Sequence, residues 1–171
     1  MKLNEHIFLI GFMGCGKSTN AKYLAEMTGV KQMEMDQKIV EDQKMPITDI
    51  FVAFGEPYFR DLETGLIRSL QETEPMAVSC GGGAVLREEN VKLMKSCGKI
   101  VLLTAKPETI FERVRYSNDR PVLNGNMNVE YIAQLMEKRR PKYEAAADLV
   151  IATDNKSTKA ICEEILQKMM F

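Results

Sequence analysis

No apolar run in this chain approaches the roughly 20 residues that a membrane-spanning helix needs, so no span is expected. There is no Cys-x-x-Cys pair either. Cys15, Cys80, Cys97 and Cys162 are scattered, which argues against a zinc site or a disulfide framework and for reduced thiols in the cytoplasm. An excess of one charge is also missing: 23 Lys and Arg face 24 Asp and Glu, for a net charge of -1. Nothing in that balance calls for a nucleic-acid or anionic-membrane partner. The only histidine, His6, lies on an apolar stretch and reads as structural. Linkers, repeats and low-complexity tracts are absent. Met1-Lys2-Leu3-Asn4-Glu5 leads at once into an apolar run, so no secretory leader is expected. What is left is 171 residues, 45% hydrophobic and 27% charged. That composition is ordinary for a globular protein. It reads as a single domain over 1–171, with a core that needs no staples and loops short enough for a monomer.

Against these absences stands one stretch rich in signal, Gly11-Phe12-Met13-Gly14-Cys15-Gly16-Lys17-Ser18-Thr19. It follows the apolar run Ile7–Ile10 and opens a helical pattern through Tyr23, Leu24 and Met27. Strand, glycine-rich turn and helix is the setting that a phosphate loop of the form G-x-x-x-x-G-K-[ST] requires. Glycines let successive N–H groups turn inward toward phosphate oxygens. The helix start adds unpaired N–H groups and the positive end of its dipole. Gly14, Cys15, Gly16, Lys17, Ser18 and Thr19 are therefore expected to hold the nucleotide, with Lys17 along the β- and γ-phosphates and Ser18 on Mg²⁺. Cys15 admits two readings: a thiol activated by Lys17 and the helix terminus, or a small residue that fills the loop. The second is preferred.

Apolar runs and helical patterns alternate along the chain. Strands are expected at His6–Ile10, Gln32–Met35, Met76–Ser79, Lys99–Leu103 and Leu149–Ala152. Helices are expected at Lys17–Thr28, a short stretch capped by Thr48 and ending at Phe54, Glu56–Gln71, Pro107 to Arg115, Val129–Lys138 and Thr158–Met169. This alternation predicts an α/β fold with a parallel sheet covered on both faces, and ligands at the carboxyl ends of its strands. Glu34 and Asp36 close the second strand, and Gly81-Gly82-Gly83 follows the third. The polar, turn-rich segment Ser117–Asn126, with Arg120 inside it, reads as a mobile loop suited to closing over a nucleotide.

Phosphoryl transfer needs charge neutralisation and an oriented attacking oxygen. Lys17, Mg²⁺ at Ser18 and Arg120 address the first. Asp36, at a strand end beside the expected γ-phosphate, addresses the second. Glu34 is read on the same side of the strand two residues earlier, within reach of the metal through water. Arg60 and Glu63 share a helix face by their spacing. Such pairs are usually surface ion pairs, and these arginines, like Arg139, matter only if they point into the cleft, where they would hold a carboxylate.

Taken in order, Gly11–Thr19, Glu34-Met35-Asp36, Phe54-Gly55-Glu56-Pro57-Tyr58-Phe59-Arg60-Asp61-Leu62-Glu63, Cys80-Gly81-Gly82-Gly83, Asp119-Arg120-Pro121-Val122-Leu123 and Arg139-Arg140-Pro141-Lys142-Tyr143 resemble the shikimate kinase family over essentially the full chain. The phosphate loop is generic, but the later blocks in this order are specific. The resemblance implies a three-layer P-loop kinase of the nucleoside-monophosphate-kinase type, with a five-stranded parallel sheet and a mobile lid near 115–126. It implies transfer of the γ-phosphoryl group of ATP, with Mg²⁺, to the 3-hydroxyl of shikimate, on the route to chorismate and aromatic amino acids. Asp36, Lys17 and Arg120 would be catalytic. Arg60 and Arg139 would hold the shikimate carboxylate, Asp36 its hydroxyls, and Gly81, Gly82 and Gly83 would let the backbone approach. Glu63 would fix Arg60, Arg113 would stack on adenine, and Ser18 and Glu34 would serve the metal. Two positions depart from the family: Glu34 stands where Asp is usual, and Cys80 where a hydroxyl or another small residue is common. Related readings are another small-molecule kinase of this fold, such as a gluconate or nucleoside monophosphate kinase, and an ATP-binding protein without transfer activity.

Overall fold

A computed structural model of the chain describes residues 2–115 and 128–169. Five strands, β1 (His6–Ile10), β2 (Lys31–Glu34), β3 (Met76–Ser79), β4 (Gly98–Thr104) and β5 (Leu149–Ala152), form one parallel sheet in the order β2-β3-β1-β4-β5. Around it lie α1 (Lys17–Thr28), α2 (Met35–Gln43), α3 (Ile47–Phe54), α4 (Glu56–Ser69), α5 (Glu88–Cys97), α6 (Pro107–Val114), α7 (Val129–Ala146) and α8 (Thr158–Met169).

The side-chain period of two along the central strands makes the three layers. Ile7 and Leu9 of β1 and Val101 and Leu103 of β4 face a core shared with Leu24 of α1, Ile110 of α6 and Ile165 of α8. Phe8, Ile10, Ile100 and Leu102 face the opposite core with Ile67 of α4 and Met94 of α5. Buried on both faces, β1 is apolar from Ile7 to Ile10. A third, smaller cluster of Ile39, Ile50 and Phe59 ties α2, α3 and α4 into a lobe beside the carboxyl edge of the sheet.

The structure differs from the sequence reading where burial is one-sided. Strand β2 is partly exposed at the sheet edge and ends at Glu34. Met35, fully buried, opens α2 instead of closing the strand. Helices α2 and α5 escape a periodicity search because each buries only two residues, Met35 and Ile39, and Asn90 and Met94. Thr48 caps nothing: α3 starts at Ile47, and the Pro46 carbonyl accepts the N–H groups of Asp49 and Ile50. Helix α4 ends at Ser69 and tightens into a 3₁₀ turn, Leu70–Glu72. Met27 is exposed; the inner face of α1 is Asn20, Ala21, Leu24 and Ala25. The largest departure is α7, which does not stop at Lys138 but continues through Pro141 to Ala146. A proline inside a helix costs about 3 kcal/mol. Buried Ile132 on one side of it, and Tyr143 and Ala146 on the other, offset that cost.

His6 is structural, as read. Its Nδ1 accepts the Met76 N–H at 3.0 Å, so the ring hydrogen sits on Nε2, which donates to the Leu70 carbonyl at 2.8 Å. Next to it, Gly98 faces His6 across the β1–β4 pair. A methyl group at Gly98 would overlap the His6 carbonyl oxygen and lie 2.9 Å from its carbonyl carbon. Backbone cannot yield there as a side chain could. Gly98→Ala is expected to cost about 1–3 kcal/mol, read as a lower urea midpoint with an unchanged slope.

Candidate active site

The carboxyl ends of β1, β2 and β3 open onto a cleft of about 700 Å³. The chain crosses from β1 to the β2–β3 side and later returns to β4, which makes this the crevice that a doubly wound sheet offers to ligands. Ile10 passes into the glycine-rich loop and α1 starts at Lys17. Gly16 takes the left-handed conformation, with φ 95°, which a side chain rarely adopts. No side chain caps α1, and its first turn carries no acid. The N–H groups there remain available to an anion. Lys17 Nζ folds back over the loop and donates to the Gly11 carbonyl at 2.7 Å.

Cys15 is buried beneath the loop. Burial pushes its thiol up, against the opposing pull of Lys17 and Arg113, so it fills space and is not an activated nucleophile. Cys80 is likewise held up at about 12 by burial. Arg113, from α6, reaches over the loop and donates to the Gly14 carbonyl at 3.0 Å and to Thr153 Oγ1 at 3.2 Å. With Lys156 and Thr158 it lines the β5 side of the cleft.

On the β2 side, Ser18 Oγ donates to Glu34 Oε2 at 2.9 Å and lies 3.5 Å from Ser79 Oγ. Gln32 Nε2 holds the other Glu34 oxygen at 2.7 Å. Among the described residues there is no cluster of three His, Cys, Asp or Glu side chains that could cage an ion. One or two hard oxygens beside a phosphate loop are nevertheless what Mg²⁺ takes from a protein, since it keeps water and phosphate for its other positions. The donor set at Ser18 and Glu34 fits that ion. Sequence reasoning misses Ser79; its signal is its place as the last residue of β3, two positions before the triple glycine.

Asp36 is not on the strand with Glu34. It sits in the first turn of α2, where the helix dipole favours a carboxylate, and it still lines the cleft with Lys17. Burial pushes its carboxyl up; Lys17 and Arg60 pull it down, Glu34 adds to the rise, and the net shift is upward.

Arg60 and Glu63 form a pair at 2.7 Å, but not a surface one. The Glu63 side chain is 0% exposed and that of Arg60 18%. Burial raises the Glu63 carboxyl against the pull of Arg60. Burial works against the Arg60 charge, yet Glu63 and Glu56 outweigh it. Glu63 Oε2 has no hydrogen-bond partner among the described residues. The triple glycine lies against these groups. A methyl at Gly81 would fall 2.6 Å from Asp36 Oδ1 and 3.2 Å from Glu63 Oε2; one at Gly82 would fall 2.8 Å from Arg139 Nη1; one at Gly83 would overlap the Arg60 guanidinium. Because α7 continues past Lys138, Arg139 comes from a helix, with its guanidinium 5.9 Å from the Phe12 ring centroid and Nη1 3.5 Å from the Tyr143 hydroxyl. Tyr143 in turn donates to the Gly82 carbonyl at 2.9 Å.

Lys17, Ser18, Glu34, Asp36, Arg60, the three glycines, Arg113 and Arg139 thus share one hollow. The Asp36 carboxyl feels the charge of both Lys17 and Arg60. Arg120 and the expected lid from 116 onward lie outside the described residues.

The shikimate kinase family model matches residues 13–170. The shikimate kinase of Persephonella marina is 42% identical over 165 residues, covering 96% of this chain and 99% of its own. Among solved structures, shikimate kinase from Acinetobacter baumannii in complex with shikimate superposes with a TM-score of 0.89 at 28% identity, over 99% of this chain and 94% of that one. The enzyme from Aquifex aeolicus does so at 0.80 and 32%, over 96% of each chain. A match to the family model over nearly the whole length, with full-length relatives at such identity, makes this chain a member of the shikimate kinase family.

Proposed function

We propose that this chain transfers the γ-phosphoryl group of ATP to the 3-hydroxyl of shikimate, yielding shikimate 3-phosphate and ADP on the route to chorismate and the aromatic amino acids. The observation that carries the reading is the shared hollow, which Lys17, Asp36, Arg60 and Arg139 line together, with the Asp36 carboxyl near enough to Lys17 and Arg60 to be pulled by both. A triphosphate fits the loop end and a small hydroxy acid the arginine end, so the acceptor oxygen meets the γ-phosphoryl near Asp36. Lys17 neutralises charge on the β- and γ-phosphates, and Arg120 joins it from outside the described residues. The loop N–H groups of Gly14, Cys15, Gly16, Ser18 and Thr19 cradle the phosphates, and Arg113 covers the base. Arg60, held by Glu63, and Arg139 bind the carboxylate by charge-assisted hydrogen bonds. Asp36 accepts from the ring hydroxyl that attacks. Gly81, Gly82 and Gly83 leave room for the ring. Ser18 and Glu34 would hold Mg²⁺, which when bound neutralises phosphate charge. One chain supplies both ends of the cleft, which supports a monomeric, single-domain enzyme. Its scattered thiols support the cytoplasm as its place.

The test is ADP release coupled to a reporter, with shikimate and with gluconate offered separately. Turnover with shikimate alone is expected. Turnover with gluconate alone would make it another kinase of the fold, and nucleotide binding with neither would make it a non-catalytic ATP binder. A second result follows from the arginine end. Arg139→Ala is expected to raise KM for shikimate about tenfold or more with little change in KM for ATP, because it removes binding made equally in ground and transition states. An unchanged KM would remove Arg139 from the carboxylate site.

A further inference from the structure

The arginine end of the cleft has two walls from separate parts of the chain: α4, which carries Arg60, and the turn Gly81–Gly83. Behind them, in the dry interior, one side chain touches both. Asn90, in the first turn of α5, is 0% exposed. Its Nδ2 donates to the Ala84 carbonyl at 2.9 Å and its Oδ1 accepts the Thr64 hydroxyl at 2.7 Å. Thr64 is also buried and lies one helical turn past Arg60, whose carbonyl is 3.1 Å from the same hydroxyl. Gly83, next to Ala84, packs directly on the Arg60 guanidinium. The contacts therefore close a ring: Arg60 backbone, Thr64, Asn90, Ala84, Gly83, and back to the Arg60 guanidinium. On the outer side Arg87 donates to Asp61 at 2.7 Å and to Thr64 Oγ1 at 3.3 Å.

The geometry assigns Asn90 as a positioning residue for acid recognition: its carboxamide sets the gap between Arg60 and the triple-glycine turn. This rests on the reading of that end as the shikimate carboxylate site. The role needs an amide. Ala84 presents an acceptor and so requires a donor, while the Thr64 hydroxyl requires an acceptor; a carboxamide offers both on one rigid plane. An alanine would leave the buried Ala84 carbonyl without its donor and let the Thr64 hydroxyl turn back to the Arg60 carbonyl of its own helix, so the two walls would lose the link that sets their spacing. Among the described residues nothing in the ring bonds to the phosphate loop, so the nucleotide end should not respond.

The experiment compares Asn90→Ala, Thr64→Val and Thr64→Ser with the unmodified enzyme in full kinetics, direct shikimate binding by calorimetry, and thermal melting. Asn90→Ala is expected to raise KM and Kd for shikimate about tenfold, with KM for ATP held within about twofold. Thr64→Val, which keeps shape but removes the hydroxyl, should raise KM about threefold, and Thr64→Ser, which restores the hydroxyl, should return it to the starting value. A lower melting temperature in Asn90→Ala with unchanged KM and Kd overturns the assignment, since burial alone would then explain the residue. If Asn90→Ala does not fold, the Thr64 pair decides: equal KM in valine and serine variants overturns it, and a higher KM in valine supports it. An unmodified enzyme that neither binds nor phosphorylates shikimate overturns the functional reading and this inference together. Full activity with no response in the variants overturns this one alone.

Discussion

Lys17→Ala is expected to lower kcat by about a thousandfold while leaving the fold in place. Preorganised positive charge at a transferring phosphoryl group is the largest single contribution in this chemistry, and one lost donor of this kind costs on the order of a hundred- to a thousandfold. Lys17 is the cation that belongs to the loop itself; Arg113 is committed to the Gly14 carbonyl and Thr153, and Arg60 to Glu63 and Glu56. Neither can take its place without abandoning those partners. The fold does not depend on it, because among the described residues its side chain makes one hydrogen bond, to the Gly11 carbonyl at 2.7 Å, worth about 1 kcal/mol. Lys17→Arg should also be impaired, since a planar fork does not replace a compact ammonium in a tight loop. A melting curve and single-turnover phosphoryl transfer check the prediction together. A variant that folds and keeps kcat within about tenfold would remove Lys17 from the reaction.

The second expected result is a loss of about a hundredfold or more in kcat for Asp36→Asn, the scale of a positioned acid–base group. Its pH behaviour is as informative as its size. Burial raises the Asp36 carboxyl despite Lys17 and Arg60. A reaction that needs the carboxylate is lost as pH falls through that raised value. The acid limb of kcat/KM should therefore lie above the ~4 of an ordinary aspartate, and that limb should vanish with the amide. Stability moves the other way. A carboxyl whose folded pKa is raised stabilises the fold only while protonated, and that contribution fades as pH climbs through the folded value. At neutral pH the neutral amide should melt no lower than the wild type. Full activity in Asp36→Asn, or an acid limb unchanged by it, would show that the carboxylate is not used.

The parts of this protein that could be read in advance are those that local chemistry encodes. The phosphate loop is legible because a backbone that turns inward on an anion demands glycines at fixed spacing, and Gly11, Gly14 and Gly16 all have positive φ. Strands β1 and β3 are legible because burial on both faces makes them almost wholly apolar, with His6 at the start of one and Ser79 at the end of the other as the exceptions. What could not be read depends on contacts between distant segments. The spacing of Arg60 and Glu63 is that of a common surface pair; only the packing of α4 behind Gly81–Gly83 turns it into a buried one. Ser79 looks like any strand-end serine until Ser18 and Glu34 arrive beside it. The sequence puts Asp36 at a strand end, whereas it lines the cleft from the first turn of a helix. Pro141 hid half of α7, because helix-breaking propensity is local while the burial that overrides it is not.

That long helix has a mechanical consequence. Ile132 anchors it in the core on one side of the sheet, and Tyr143 and Ala146 anchor it in the core on the other. Arg139 lies between the two moorings, like a fitting on a beam clamped at both ends. Its backbone is fixed at both ends, so where its guanidinium does hold an acid, selection among hydroxy acids should follow their rigid dimensions more than any reshaping of the helix.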